Sequence, residues 1–209
     1  MSPPDNHLTA VVLNCTLKPS PAESNTEALA RVVIEALEGD DVSCELIRLV
    51  DLDVRPGVSS DEGDGDEWPR VLERVLAADI LVLASPTWLG KPSSVAQRAL
   101  ERLDALISET DDEGRPVAYN RVAGFVVTGN EDGAHHVIGE LAGGLIDIGF
   151  TVPGQAWTYW NRGPGPGKSY LEDEAGREWS HTTGRAAASN LVAAARALRA
   201  QPIPAPPSE

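Results

Sequence analysis

Cysteine is scarce in this chain, and long apolar runs are missing from it. Only two of the 209 residues are cysteines, Cys15 and Cys44, so the fold does not depend on a framework of disulfides, and a reducing compartment is favoured. No run approaches the roughly 20 apolar residues of a membrane helix. Residues 1–7 also lack the basic segment and the apolar stretch of a signal peptide. We therefore expect a cytoplasmic protein without a membrane partner.

Positive charge is also in short supply. The chain has 17 Lys and Arg residues against 32 Asp and Glu residues, which gives a formal net charge of −15 at pH 7. Such a surface repels nucleic acids and anionic membranes, so we expect no nucleic-acid partner. An anionic ligand would need a local positive potential to offset this negative field, and a helix N-terminus or one of the few cations could supply it. Lys18 is the cation that we consider first.

Several patterns that would indicate other kinds of site are absent. The loop after the first apolar segment contains neither G-x-G-x-x-G nor the pattern G-x-x-x-x-G-K followed by Ser or Thr, so neither common nucleotide-binding turn is predicted there. His135 and His136 are adjacent, but neighbours on a helix face different directions and no third ligand is spaced for them, so we predict no metal site. Glu131 and His135 could act as acid or base, yet neither has a visible partner in the sequence. We therefore assign no catalytic side chain.

Apolar segments that suit buried strands alternate with amphipathic segments that suit helices. The predicted strands cover residues 8–14, 43–49, 80–84 and 122–128, with a last strand reaching about residue 157. The predicted helices cover residues 27–37, 67–77, 92–106, 134–148 and 182–200. Five strands alternating with helices indicate an α/β fold with a doubly wound parallel sheet and helices on both faces. The alternation alone does not give the order of the strands.

The third predicted strand leads into a loop that suits a flat ligand. Residues 80–84 are apolar without alternation, which is typical of a strand covered on both faces in a parallel sheet. Ligands of such sheets bind beyond the carboxyl ends of the strands. There Pro86 restricts the backbone, Gly90 allows close approach, and Trp88 offers a flat apolar surface. The alternative is an ordinary strand-to-helix turn whose Trp fills the core.

The loop after the first strand has the composition of a phosphate site. Its polar side chains are followed directly by a predicted helix, and they are Thr16, Lys18, Ser20, Ser24, Asn25 and Thr26. Hydroxyls, backbone N–H groups and the helix dipole together favour a terminal phosphate, to which Lys18 would add a compensating charge. The alternative is that Ser24 only caps its helix and the rest is a solvated loop.

The loop after the fourth strand could hold the edge of the same ligand. Gly129 and Gly133 allow backbone amides to approach it, and Asn130 can both donate and accept hydrogen bonds. Loops after the first, third and fourth strands meet in one crevice if the strand order is the flavodoxin-like 2-1-3-4-5. We predict one such domain over residues 1–200, with an extra loop rich in Gly, Pro and aromatic residues at about 159–180. Residues 201–209 are predicted to be a disordered Pro-rich tail.

The three loops resemble those of one known family. The matching pieces are Thr16-Leu17-Lys18 with Ser24-Asn25-Thr26, Ser85-Pro86-Thr87-Trp88-Leu89-Gly90, and Thr128-Gly129-Asn130-Glu131-Asp132-Gly133-Ala134. Over about residues 8–157 the chain is similar to the NAD(P)H-dependent FMN reductases and related flavodoxin-like quinone reductases. It departs from them in having Lys18 where relatives often carry Arg, Thr16 where Ser is common, and Trp88 where Tyr is often found.

The resemblance implies a flavoprotein oxidoreductase. It implies FMN as cofactor, NADPH or NADH as co-substrate, a quinone, free flavin, azo or nitro compound as acceptor, and a homodimer or homotetramer. The cofactor-binding residues that it implies are Thr16, Lys18, Ser24, Asn25, Thr26, Pro86, Thr87, Trp88, Leu89, Gly90, Thr128, Gly129, Asn130, Glu131, Gly133 and Ala134. Two alternatives stay open, namely a flavodoxin-like carrier of single electrons that binds FMN without NAD(P)H turnover, and a flavin-free α/β regulatory module.

Overall fold

A parallel sheet forms the centre of the molecule, which a computed structural model describes for residues 7–163 and 167–207. Its strands are β1 (Leu8–Asn14), β2 (Val42–Arg48), β3 (Ile80–Trp88), β4 (Lys91–Pro92), β5 (Val122–Gly129) and β6 (Trp157–Asn161). The order is β2-β1-β3-β5-β6, and the two-residue β4 pairs antiparallel with the end of β3. With β4 set aside, this is the predicted order of a flavodoxin-like fold, and the prediction is confirmed.

The described residues form five α-helices, which cover the two faces of the sheet. They are α1 (Asn25–Gly39), α2 (Trp68–Ala77), α3 (Ser94–Leu103), α4 (Ala134–Ile148) and α5 (Glu178–Ala200). Apolar residues of α1 and α5 pack with alternate residues of the strands on one face, and those of α2, α3 and α4 pack with the remaining strand residues on the other. The sheet is therefore buried on both sides, as strands without polar alternation require. None of the helices within the described ranges has the length and hydropathy of a membrane-spanning segment.

The start of α1 is fixed by a side-chain cap. The Oγ of Ser24 accepts a hydrogen bond from the backbone N–H of Glu27 at 3.1 Å, which satisfies one of the donors that the first helical turn leaves open. Leu29, Val33 and Leu37 then bury one side of the helix against the sheet. The cap thereby fixes the N-terminus of α1 after the polar loop that follows β1.

Two predicted boundaries are wrong. Residues 85–88 continue β3 as extended strand and form a hairpin with β4, so the predicted loop is reduced to a tight turn. The last strand begins at Trp157, because Pro153 has no N–H for the ladder and Thr151 makes only a single bridge, to Val122. Of the predicted domain, loop and tail, residues 1–6, 164–166 and 208–209 lie outside the described residues.

The end of α5 ties both ends of the described chain to the N-terminal side of the sheet. Arg199 donates to both carboxylate oxygens of Asp79, at 2.8 and 2.9 Å, and to the carbonyl oxygen of His7 at 2.8 Å. Beyond the helix, the N–H of Ile203 donates to Oδ1 of Asn120 and its carbonyl accepts from Nδ2 of the same side chain. The two ends of the described chain therefore lie close to the amino ends of the central strands.

The acidic segment between β2 and α2 is anchored by a buried ion pair. The side chains of Arg102 on α3 and Asp66 are both 0% exposed and join at 2.7 Å. Arg102 also donates to the carbonyl oxygens of Arg55 and Ser59, both at 2.9 Å. Asp66 accepts further hydrogen bonds from the backbone N–H groups of Arg55, Glu62 and Trp68. This pair fixes residues 52–67, which follow a short 3-10 helix at Leu49–Asp51 and form no helix or strand of their own.

Candidate flavin site

A cavity of about 440 Å³ opens where the carboxyl ends of β1, β3 and β5 meet. Most of the predicted site residues line it, and these are Thr16, Lys18, Asn25, Thr26, Pro86, Thr87, Trp88, Thr128, Gly129, Asn130 and Glu131. Five predicted residues do not line it, and these are Ser24, Leu89, Gly90, Gly133 and Ala134. Leu17, Trp160 and Ser169 line it although they were not predicted as site residues. The three predicted loops are therefore brought together at one crevice.

The end of the cavity beside α1 has the features of an anion site. Thr16 lies two residues beyond the end of β1, and Asn25 and Thr26 stand in the first turn of α1, whose N–H groups and dipole favour negative charge. The ammonium of Lys18 donates to the carbonyl oxygen of Glu23 at 3.2 Å. Ser24 is buried and its hydroxyl caps α1, so it shapes this end of the cavity without lining it.

The hairpin formed by the end of β3 and by β4 makes one side of the cavity mouth. Trp88 lines the cavity with 55% of its surface exposed, so it does not fill the core. Leu89 and Gly90 make the turn with φ angles of 51° and 74°, and Leu89 is 92% exposed at its tip. A left-handed Leu is unusual, since its side chain crowds the backbone there. The tip thus projects apolar surface into solvent beside the cavity.

Two glycines allow the hairpin and the loop after β5 to approach each other. A Cβ on Gly129 would lie 2.9 Å from the Cβ of Thr87, and one on Gly133 would lie 2.8 Å from the Cα of Gly90. Gly133 also has a φ of 112°, a conformation that favours glycine. Ala134 is buried in the core at the start of α4. None of Gly90, Gly133 and Ala134 lines the cavity, but they pack next to residues that do.

The start of α1 and the end of β5 are linked directly. The hydroxyls of Thr26 and Thr128 lie 2.7 Å apart, and both residues are buried at the cavity. This contact joins the N-terminus of α1 to the end of β5, which Asn130 and Glu131 follow. One hydrogen bond at the cavity therefore joins residues that are 102 positions apart in the sequence.

The segment after β6 closes the far side of the cavity. Trp160 is buried, and its indole N–H donates to Oδ2 of Asp173 at 3.3 Å. Arg162 holds the other oxygen of this buried carboxylate at 2.8 Å. Leu171 donates its N–H to Oδ1 of Asn25 at 3.0 Å, which brings the segment against the start of α1. The run of aromatic and β-branched residues at 157–161 is a strand signal that could have revealed Trp160.

A Tyr–His pair secures this segment to α5. The hydroxyl of Tyr170 and Nε2 of His181 lie 2.7 Å apart, and the guanidinium of Arg177 lies over the Tyr170 ring at 4.8 Å. Burial raises the pKa of Tyr170. Burial, aided by the nearby charges of Arg185 and Arg177, lowers the pKa of His181. The pair is thus most stable with a neutral imidazole.

We expect the free energy of unfolding to fall as the pH drops below the ordinary histidine pKa of 6.5, because the unfolded chain then binds a proton that His181 resists in the folded state. Urea unfolding of the wild-type protein and of His181→Gln on either side of that pH would measure the effect. The loss of stability on acidification should be smaller in the variant. An equal loss in both proteins would contradict the assignment to His181.

One buried hydroxyl at the cavity has no hydrogen-bond partner within the part of the chain that the structure describes. Among the described residues, Oγ1 of Thr87 has no hydrogen-bond partner, although Thr87 is only 5% exposed. Leaving a buried hydroxyl unpaired costs free energy, so such groups usually meet a partner. Thr87 lines the cavity, so a polar ligand there could supply it. In the same ranges, no group of three or more His, Cys, Asp or Glu residues is placed to hold a metal ion.

The fold and the cavity define a class of protein. A doubly wound sheet with an anion site at one end of a cavity and an aromatic wall at its mouth suits a phosphorylated ligand with a planar ring. Residues 9–163 match the family described as NADPH-dependent FMN reductase. The chain belongs to this family.

Three relatives are most informative. The chain is 36% identical over 184 residues to the 8-demethyl-8-aminoriboflavin-5'-phosphate synthase of Streptomyces davaonensis, covering 84% of this chain and 71% of that protein. A crystal structure of RosB with bound 8-demethyl-8-formylriboflavin-5'-phosphate superposes with a TM-score of 0.87 at 34% identity, over 94% of this chain and 82% of that one. A Mycobacterium bovis protein named divalent metal cation transporter MntH is 38% identical over 200 residues, but the chain spans only 29% of its length.

Proposed function

We propose that the cavity binds FMN and that the protein uses it to transfer hydride from NADPH or NADH to a small acceptor. The observation that carries the proposal is the buried, unpartnered hydroxyl of Thr87 in a cavity that the first turn of α1 also lines. Membership of the NADPH-dependent FMN reductase family supports the same assignment. FMN, when bound, would supply the hydride-accepting and hydride-donating ring.

Different residues of the chain would bind the phosphate and the ring of FMN. Thr16, Asn25, Thr26 and the ammonium of Lys18 would hold the phosphate beside α1. Residues 86–88 and 128–131 would hold the ring, with Trp88 at the open side of the cavity. Ser24, Leu89, Gly90, Gly133 and Ala134 would act indirectly, by capping α1 and by shaping the hairpin contact.

No side chain needs to titrate in this scheme. Hydride transfer depends on stacking and distance, which a preformed cavity provides without a general acid. His135 packs its ring edge against Tyr159, with the ring centroids 5.1 Å apart, and does not line the cavity. We therefore propose no catalytic side chain.

The proposal is tested by adding FMN and then NADPH or NADH under anaerobic conditions. We expect quenching of flavin fluorescence on binding, followed by bleaching of the flavin absorbance. Failure to bind FMN would refute the proposal. Binding without bleaching, together with a stable semiquinone, would instead support a carrier of single electrons.

A second candidate function treats the flavin as the substrate. It is favoured by the similarity to the Streptomyces davaonensis synthase, whose name describes a flavin with an amino group in place of the methyl group at C8. Mass spectrometry of the flavin recovered after incubation in air with ammonium or amino acids would decide between the two. Unchanged FMN supports the reductase, whereas a changed mass supports modification at the flavin ring.

Replacement of Thr87 by Val should change stability and binding in opposite directions. Without ligand, removing an unpaired buried hydroxyl is expected to raise the free energy of unfolding by about 1 kcal/mol. With FMN, losing a hydrogen bond to the ligand is expected to raise Kd about fivefold. Urea unfolding and fluorescence titration measure the two effects.

Thr158→Val is the matched control for this change. Thr158 is also buried, but its hydroxyl donates to the carbonyl oxygen of Ser180 at 2.7 Å. This control should lower the stability and leave FMN affinity unchanged. If Thr87→Val also destabilises the ligand-free protein, the hydroxyl has a partner within the chain and does not await a ligand.

We also propose a cytoplasmic homodimer or homotetramer. Apolar side chains stand exposed around the cavity mouth, with Leu17 43%, Trp88 55% and Leu89 92% exposed. A cluster of this kind is typical of surfaces that bind another molecule. Sedimentation across a range of concentrations would test the assembly, and a monomer throughout would contradict it.

A further inference from the structure

Arg48 lies beneath the phosphate end of the cavity and contacts the loop above it. It is the last residue of β2, beside Asn14 at the end of β1, and its side chain is 12% exposed. Its Nη1 donates to the carbonyl oxygens of Lys18, at 3.3 Å, and of Ala22, at 2.9 Å. One guanidinium therefore holds two points of the loop between β1 and α1.

The same guanidinium is fixed from the other side by Glu27. Nε and Nη2 of Arg48 donate to Oε2 of Glu27 at 3.2 and 2.5 Å. Glu27 also accepts from Nδ2 of Asn14 at 3.1 Å and from Arg31 at 2.6 Å. Asn14 in turn accepts from the N–H of Thr16 at 3.2 Å, so the network reaches a residue that lines the cavity.

A loop that binds phosphate must direct its N–H groups toward the ligand and its carbonyl oxygens away from it, because carbonyl oxygens carry partial negative charge. Here the carbonyls of Lys18 and Ala22 are bound by Arg48, and that of Glu23 is bound by the ammonium of Lys18. These cations hold three acceptors of the loop and oppose their turning toward the cavity.

Glu27 would otherwise be unfavourable at this position. Its carboxylate lies in the first turn of α1, the turn that also supplies the proposed phosphate donors. Ion pairs with Arg48 and Arg31 offset its negative charge. Removal of Arg48 would release two carbonyls and leave this charge only partly compensated, and both effects would oppose a bound phosphate.

We propose that Arg48 is a positioning residue for the phosphate of FMN and that it makes the cavity discriminate FMN from riboflavin. This inference rests on the proposed flavin site. Riboflavin has the same ring and ribityl chain without the phosphate, so only FMN binding depends on the shape of the loop. Arg48 itself does not line the cavity and acts through the loop.

The test compares Kd values for FMN and riboflavin in the full-length protein and in Arg48→Gln. The variant should bind FMN at least about tenfold more weakly, since charge-assisted hydrogen bonds no longer order the loop. Its affinity for riboflavin should stay within about twofold of wild type. Arg31→Gln is the matched control, because Arg31 pairs with Glu27 but is exposed and contacts no carbonyl of the loop.

Each outcome decides a separate point. Equal weakening for both flavins, or unchanged FMN affinity, would overturn the positioning role of Arg48. Failure of the wild-type protein to bind either flavin would instead overturn the flavin site itself. If Arg48→Gln does not fold, Arg48→Lys keeps the charge but cannot hold both carbonyls and Glu27 together, so it should lose discrimination between FMN and riboflavin.

Discussion

Replacement of Arg102 by Met is expected to lower the free energy of unfolding by about 3–5 kcal/mol, because it leaves a buried carboxylate without its partner. Asp66 is fully buried, and Arg102 is its only ion-pair partner among the described residues. The variant also loses the hydrogen bonds that Arg102 donates to the carbonyl oxygens of Arg55 and Ser59. Urea unfolding monitored by circular dichroism would measure the loss.

The pH dependence provides a second check on this pair. Burial alone would raise the pKa of Asp66, but hydrogen bonds from Arg102 and from three backbone N–H groups hold it well below its ordinary value of 3.8. A carboxylate with a lowered pKa stabilises the fold above its unfolded pKa, and this stability is lost as the pH falls. The difference in the free energy of unfolding between wild type and Arg102→Met should therefore be larger at neutral pH than at about pH 4.

Arg74→Met is the matched control. Its side chain is 60% exposed and lies 3.8 Å from Glu45, so its loss should change stability by no more than about 0.5 kcal/mol. A small effect of Arg102→Met, similar to that of the control, would mean that the segment between β2 and α2 is held by other contacts.

Replacement of Trp160 by Ala is expected to cost about 3–5 kcal/mol of stability and to weaken FMN binding as well. Trp160 is buried against α5 and lines the cavity, and its N–H is a partner of the buried Asp173. The change would remove part of the cavity wall and loosen the segment that contains Ser169. Thermal unfolding and FMN titration measure the two losses.

Two further variants separate packing from hydrogen bonding at this position. Trp160→Phe keeps most of the apolar area but loses the N–H, so it should cost less than Trp160→Ala. Trp179, 53% exposed at the start of α5, is the matched surface residue, and its replacement by Ala should leave FMN affinity unchanged. Equal effects of Trp160→Ala and Trp179→Ala would refute the role given to the cavity wall.

The fold was predictable because its signals are local and repeated. Strands 80–84 and 122–128 are apolar without alternation, which indicates burial on both faces, and each is followed by a polar loop and an amphipathic helix. Parallel strands put those loops at one edge, so the crevice followed from the strand order. The last strand is harder to locate, since β-branched residues at 151–152 are as suitable for a strand as residues 157–161 until the effect of Pro153 is considered.

The candidate site was predictable where its residues lie at the ends of predicted strands or in the polar loops that follow them. Thr16, Thr87 and Gly129 are such residues, and all three line the cavity. Trp160 reaches it from β6, the strand whose bounds were predicted wrongly, and Ser169 reaches it from a segment without periodicity that contacts of Tyr170 and Asp173 hold in place. The contacts of Arg48 with Ala22 and of Arg102 with Asp66 join residues 26 and 36 positions apart, and no sequence pattern identifies such pairs.

The contacts of Arg199 and Asn120 have a practical consequence for experiments on this protein. They hold both ends of the described chain near the amino ends of the strands, whereas the cavity lies at the carboxyl ends. The seven residues of β1 separate the two sides by roughly 20 Å. An affinity tag, an electrode linker or a fused electron donor could therefore be joined at either end while the cavity mouth stays open to solution.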